Sequence, residues 1–170
     1  IPDELRVKRL LEAINTVFRE QYTLLMEEGL DEDGIQEVFD PSQEWDVRLA
    51  ADALKPMSAE AVEAGKKALA DIGLSLDDLG DRRRVIRAMR ENAMQFATTV
   101  NEATREKLAG TLAEGIDAGE GLDGLTQRVQ ATFGWVDPET GEELDPDRAE
   151  SWRAERISRT ELFRAATDGQ

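Results

Sequence analysis

Arg156, Thr160 and Arg164 stand at i, i+4 and i+8, a spacing that puts all three on one face of a helix. Arg159, Glu155 and Glu161 lie to either side and can form local ion pairs, and the Thr160 hydroxyl can bond back to the carbonyl of Arg156. Trp152, Ile157 and Phe163 are the apolar side chains expected to dock this helix. A second cationic strip, Gly80–Arg90, carries five arginines and one aspartate. Its Arg82, Arg83, Arg84 and Arg87 are candidates for contact with DNA phosphate or with an acidic partner surface. They fall in the opening turns of a helix, where the dipole disfavours cations, so the competing reading is a solvated face paired with the chain's own acids. The interleaved aromatics of a single-strand binder are absent.

The acids invite a metal reading, which the spacing rejects. Glu27–Asp46 holds nine carboxylates without a base, and Asp137–Asp147 holds six without one. A calcium loop of the EF-hand kind needs oxygen ligands at alternate positions and a glycine at its sixth. Counted from Asp137, the sixth residue is Glu142 and the twelfth is Arg148; counted from Asp31, Gly34 falls fourth. Both stretches read as solvated acidic loops. With no cysteine and no histidine, neither a Ser–His nor a Cys–His nucleophile can be assembled from this chain, and thiolate metal sites are excluded. Among 37 acids no carboxylate pair stands out, and no glycine-rich phosphate loop follows a strand. No catalytic, metal-ligating or cofactor-binding residue is therefore assigned, no cofactor is expected, and the chain is not read as an enzyme.

These side chains must be held by helices. Hydrophobic residues make up 40% and aromatics only 5% of the 170 residues, so the core is built from Leu, Ile, Val and Ala. Charged residues at 34% suit long solvated helices, and the fold class expected is mainly α. A net charge of −16 repels phosphate over the body of the molecule and leaves only local basic strips for it. No run of 18 apolar residues occurs and no signal pattern opens the chain, so no membrane contact is expected. From the start without Met and the stop just after a helical pattern, the chain is expected to be the ordered part of something longer.

Val7, Leu10, Leu11, Ile14, Val17, Phe18, Tyr22 and Leu25 recur at three- and four-residue steps, predicting a first helix opened by Pro2 and Asp3 and closed by Gly29. At roughly 35–40 Å it exceeds a small globule, and residues 5–25 are a candidate surface for a partner or a second copy of the chain. Leu30–Ser42 reads as a loop or short helix. A helix over Trp45–Leu54 is expected to stop at Pro56, and Ser58 to cap a new one over Ala61, Val62, Leu69 and Ile72. Leu74–Gly80 is the candidate boundary between residues 1–79, an N-terminal helical segment, and residues 80–170. Asp81 caps a pattern through Val85, Met89, Ala93, Phe96 and Val100, which either runs on into Leu108, Leu112 and Ile116 or breaks near Asn101. A shorter helix follows over Leu122, Leu125, Val129 and Phe133, ended by Gly134. Trp135–Leu144 reads as a small β-hairpin with Gly141 at positive φ, and the last helix runs from Arg148 to about Thr167.

The core Ile157-Ser158-Arg159-Thr160-Glu161, followed by Arg164, Ala165 and Gly169, resembles the signature of the phage Mu F-like head-morphogenesis family. A helix over Thr104–Ile116, a glycine-rich turn and a helix over Leu122–Phe133 resemble the family's lead-in to that motif, so the similarity spans about Asn101–Gly169. Family members continue into a segment with paired cysteines, whereas this chain ends at Gln170. Residues 80–170 are the expected phage Mu F-like helical domain with its hairpin. Residues 1–79, which carry no such motif, are a candidate portal- or partner-contacting segment, since the module is fused to the portal protein in some phages. The resemblance implies a minor capsid protein of a tailed bacteriophage, associated with the portal inside the virion head and with the host cytoplasm during assembly. It implies the portal and other head proteins as partners, a role in head assembly and genome packaging or ejection, and contact with packaged DNA through the arginine strips. Ile157, Arg159, Thr160, Glu161, Arg164 and Gly169 would then be structural. The alternative is a carrier module for a toxin or ADP-ribosylating domain lying outside this chain.

Overall fold

The computed structural model describes residues 2–73, 75 and 82–168. Among them the chain is mainly α, with helices α1 (Glu4–Glu28), α2 (Glu32–Val38), α3 (Trp45–Asp71), α4 (Arg82–Asp117), α5 (Leu122–Phe133) and α6 (Trp152–Asp168), and one 3-10 turn, Pro41–Gln43. The candidate boundary Leu74–Gly80 (except Ser75), the Asp81 cap and Gly169 lie outside the described residues.

Helix α1 begins where Asp3 accepts from the backbone N–H groups of Leu5 and Arg6, and it ends at Gly29, whose φ of 128° a side chain would oppose. Val7, Leu10, Leu11, Ile14, Val17, Phe18 and Leu25 are all buried, but by this chain's own helices. The stripe expected to seek an outside partner is covered from within, since α3, α5 and α6 all pack on α1. Leu5 and Met26 are the large apolar side chains that α1 leaves exposed. Acidic Leu30–Ser42 does fold into a short helix, capped by Asp31 at the N–H of Gly34. Gly34 is required there: a Cβ would lie 1.8 Å from the carbonyl oxygen of Gly29.

The expected break at Pro56 does not occur. Helix α3 runs through it from Trp45 to Asp71, so Ser58 caps nothing. A proline inside a helix removes one backbone hydrogen bond and costs about 3 kcal/mol. Both sides of Pro56 are nevertheless pinned: Trp45, Leu49, Ala53 and Met57 share the core, and the buried carboxylate of Glu60 receives Arg6 of α1 at 3.0 Å. Burying side chains of that size stabilises by about 1.5–3 kcal/mol each, enough to outweigh the local penalty. Helix α4 takes the unbroken option. It spans 36 residues, about 54 Å. Asn101 is no breaker because it faces inward, accepting from Gln21 Nε2 at 3.0 Å and donating to Asp46 Oδ1 at 2.7 Å. Val85, Ile86 and Ile116 are exposed at the ends, where α4 outruns the core.

One hydrophobic core draws on every helix from α1 to α6. Its aromatic centre is Phe18, Tyr22, Phe133 and Trp135, with ring centroids 5.4–6.2 Å apart in tilted and edge-on arrangements. The hairpin expected over Trp135–Leu144 shrinks to one isolated antiparallel bridge, Val136 with Glu143. Gly141 does take positive φ, 73°, but the arms hold Pro138 and little that is apolar, and Asp137 directs its carboxylate to the N–H groups of Glu139 and Thr140. A turn results, not a pair of strands.

Candidate functional site

The last helix starts at Trp152, four residues later than expected, because Arg148 and Ala149 form a turn on the carbonyl of Asp145. Ser151 caps it, accepting from the N–H of Ala154 at 3.0 Å. The same hydroxyl donates to the carbonyl of Phe133, and the Ser151 N–H donates to Asn15 Oδ1, so the cap is tied to α5 and α1 at once. Gly134, at φ 93°, makes this closeness feasible; a Cβ there would meet Ser151 Oγ at 2.5 Å and Arg153 N at 2.8 Å.

The docking face of α6 differs from the expectation by about one position. Ala154, Ser158 and Leu162, at i, i+4 and i+8, are the buried stripe, whereas Phe163 is 61% exposed. Trp152 is half-buried and donates from Nε1 to the carbonyl of Val136 at 2.7 Å; Ile157 packs at the edge of the core. Ser158 satisfies its hydroxyl on the carbonyl of Ala154, which lets a polar residue sit in the seam.

The motif residues divide between two faces. Arg159 turns outward to α1, making a two-pronged ion pair with Glu4 at 2.8 and 3.1 Å and a second contact with Glu155 at 3.4 Å. The Glu4 carboxyl is held below its usual range, chiefly by the hydrogen bond from Arg159. Thr160, Glu161 and Arg164 instead line a groove between α3, α4 and α6, with Arg164 3.8 Å from Glu161. Thr160 is exposed on that wall, and the expected bond to the Arg156 carbonyl is not among its contacts in the described residues. Arg82, Arg83, Arg84 and Arg87 are exposed along the opening turns of α4, outside the groove lining.

The groove has a volume of about 480 Å³, within the range that holds a ligand rather than a few waters. Its floor is apolar, with Met57, Phe96, Val100 and Ile157; Ser58, Asn92, Gln95 and Thr99 bring polar groups to it. Lys107, Arg153 and Arg156 also line it. Arg153 is the unusual member, 4% exposed, with Nη1 donating to Thr104 Oγ1 at 2.9 Å and, more weakly, to the Thr132 carbonyl at 3.4 Å. Its guanidinium lies 5.1 Å from the Phe18 ring, and that of Arg156 5.2 Å from the Trp152 ring. None of Lys107, Arg153 and Arg156 has a carboxylate within ion-pair distance among the described residues. The consequence is visible in the basicity of Arg153 and Lys107. Burial, then the charge of Arg156, pushes Arg153 down to about 10. Lys107 is lowered first by the charge of Arg153, then by burial and by Arg156. With Lys107, Arg153, Arg156 and Arg164 in its lining against Glu161, the groove is a cationic patch on an acidic body.

The sequence reading placed Arg156 beside Thr160 and Arg164 but missed Lys107 and Arg153. Lys107 stands beside Arg105 and Glu106 in a charged stretch of α4, and nothing local signals that α6 lies across it. Arg153 carried a weak signal, as it stands next to the Ala154, Ser158, Leu162 seam. Among the described residues no cluster of three or more acidic groups is placed to hold a metal ion, and no helix is long and apolar enough to cross a membrane. Comparison with protein-family models, curated proteins and solved structures found no match to this chain.

Proposed function

We propose that the chain is a minor structural protein of a tailed-phage head, associated with the portal, serving head assembly and genome packaging or ejection without catalysis of its own. The resemblance of Ile157–Gly169 and its helical lead-in to the phage Mu F-like family motivates this reading. The observation that carries it is the placement of the motif on α6 as a brace between the two halves of the chain. Ala154, Ser158 and Leu162 are sealed into the common core, while Arg159 reaches Glu4 at the far end of the sequence. Of the Arg-Thr-Glu run it is Arg159 that ties α6 to α1, and a helix holding distant parts of a chain together is what supports an assembly role.

The test is co-expression of the protein with the portal and head proteins of its phage, followed by particle purification. The wild-type chain is expected in particles that contain portal. Arg159→Ala and Glu161→Gln are expected to lower incorporation and infectivity only as far as they lower thermal stability. A Glu161→Gln protein that is fully stable and normally incorporated, yet leaves the particle inactive, would assign Glu161 a chemical role and overturn the proposal.

A further inference from the structure

The chain carries 37 acids against 21 bases, yet Lys107, Arg153 and Arg156 converge on one groove, none of them within ion-pair distance of a carboxylate of the described residues, while the acid in its lining, Glu161, stands 3.8 Å from Arg164. Cations drawn together repel, and a guanidinium 4% exposed has also lost most of its water. Arg153 uses only Nη1 on protein acceptors, and its Nε and Nη2 are not sealed from solvent. A planar fork held this way presents two parallel N–H donors, the geometry that suits a carboxylate or phosphate. The floor beside it is Met57, Phe96, Val100 and Ile157, which only apolar groups can cover to advantage.

We propose that the groove between α3, α4 and α6 is a docking slot for an acidic, apolar-tipped polypeptide segment of a partner protein, whose carboxylates pair with Lys107, Arg153 and Arg156 while its apolar side chains cover Phe96 and Ile157. Charge complementarity selects an anion, and the apolar floor selects among anions. A nucleic-acid backbone has no apolar group to place there, and a duplex would bring its phosphates against a body of net charge −16. This inference stands apart from the assignment to a phage head.

The experiment is fluorescence anisotropy on the full chain with a short labelled peptide in which glutamates alternate with leucines. The comparison probes are the same peptide with glutamines for glutamates, a labelled mixed-sequence DNA duplex, and inorganic phosphate as competitor. The glutamate peptide is expected to bind at least about tenfold more tightly than the glutamine peptide, with the duplex unbound. Lys107→Gln and Arg156→Gln should each weaken it about fivefold. Arg153→Met, which keeps the volume of a buried side chain, should weaken it at least about tenfold with the fold checked by thermal melt. Arg159→Gln, outside the groove, should bind as wild type. Equal binding of the two peptides, or no loss in the Lys107 and Arg156 variants, would overturn the proposal. Duplex binding or phosphate competition that is lost in those same variants would overturn it in favour of phosphate. Failure here with normal entry into portal-containing particles would leave the head-protein reading standing, and the reverse result would separate them the other way.

Discussion

The buried polar line Gln21–Asn101–Asp46 joins α1, α4 and α3, and it can be dismantled one member at a time. Gln21 and Asn101 are 0% and 4% exposed, and Gln21 Oε1 has no partner among the described residues. Asn101→Leu removes one neutral hydrogen bond, from Gln21, and one charge-assisted bond, to Asp46, and leaves the Gln21 carboxamide wholly unpaired. Those losses come to about 3–5 kcal/mol, and the apolar burial gained by leucine offsets part of it, for a net cost of about 2–3 kcal/mol. In a chain of this size that is a fall in Tm of about 5–10 °C. Gln21→Met is different. It loses the same single bond but removes an acceptor that was already stranded, so its cost should stay within about 1 kcal/mol. The double variant is therefore expected to be less damaged than the sum of the two, by about 1–1.5 kcal/mol, because no amide is left unpaired between α1 and α4. Urea unfolding of the four proteins, read by circular dichroism, gives the cycle. Additivity within about 0.5 kcal/mol would refute the reasoning, since it would mean that Gln21 does not depend on Asn101.

Two further outcomes follow from the turns and the surface pairs. Gly134→Ala is expected to cost about 2–4 kcal/mol, because the new Cβ meets Ser151 and the Arg153 backbone at positive φ, whereas Gly141→Ala, with a similar φ and nothing within 4 Å, should cost about 1 kcal/mol; thermal melts compare the two. In carboxyl-carbon NMR titrations Glu4, Asp40, Glu120 and Asp137 are expected below the usual carboxylate range, the causes being hydrogen bonds from Arg159, Ser42, Arg128 and the Glu139 backbone respectively. A depressed folded-state value means that the stability from these contacts is present above the unfolded value and is lost as pH falls through the folded one, and Arg159→Gln should return Glu4 alone to the ordinary range.

The mainly α class, both ends of α1, the end of α5 at Gly134 and the positive φ of Gly141 were legible in the residues, because each rests on local chemistry. A 3.6-residue apolar stripe, an Asp that caps and a glycine that turns act within a few positions. Pro56 was read locally too, and there the local rule lost, since the core on both flanks outweighs one missing hydrogen bond. The docking face of α6 was misplaced because its true stripe is Ala154, Ser158 and Leu162. Two of those three are too small or too polar to register as hydrophobic, yet small residues are what a close helix approach needs. The motif's division into an outward Arg159 and a groove-facing Thr160, Glu161 and Arg164 follows from that rotation. The groove itself was beyond sequence reading. Lys107 and Arg153 are 46 positions apart, and only the packing of α4 and α6 against α3 brings them to one cleft. By itself the sequence determined which segments are helical and that cations are scarce. Tertiary structure decided which faces meet, and so which of those scarce cations stand together unpaired, because packing geometry depends on contacts between residues that no local periodicity relates.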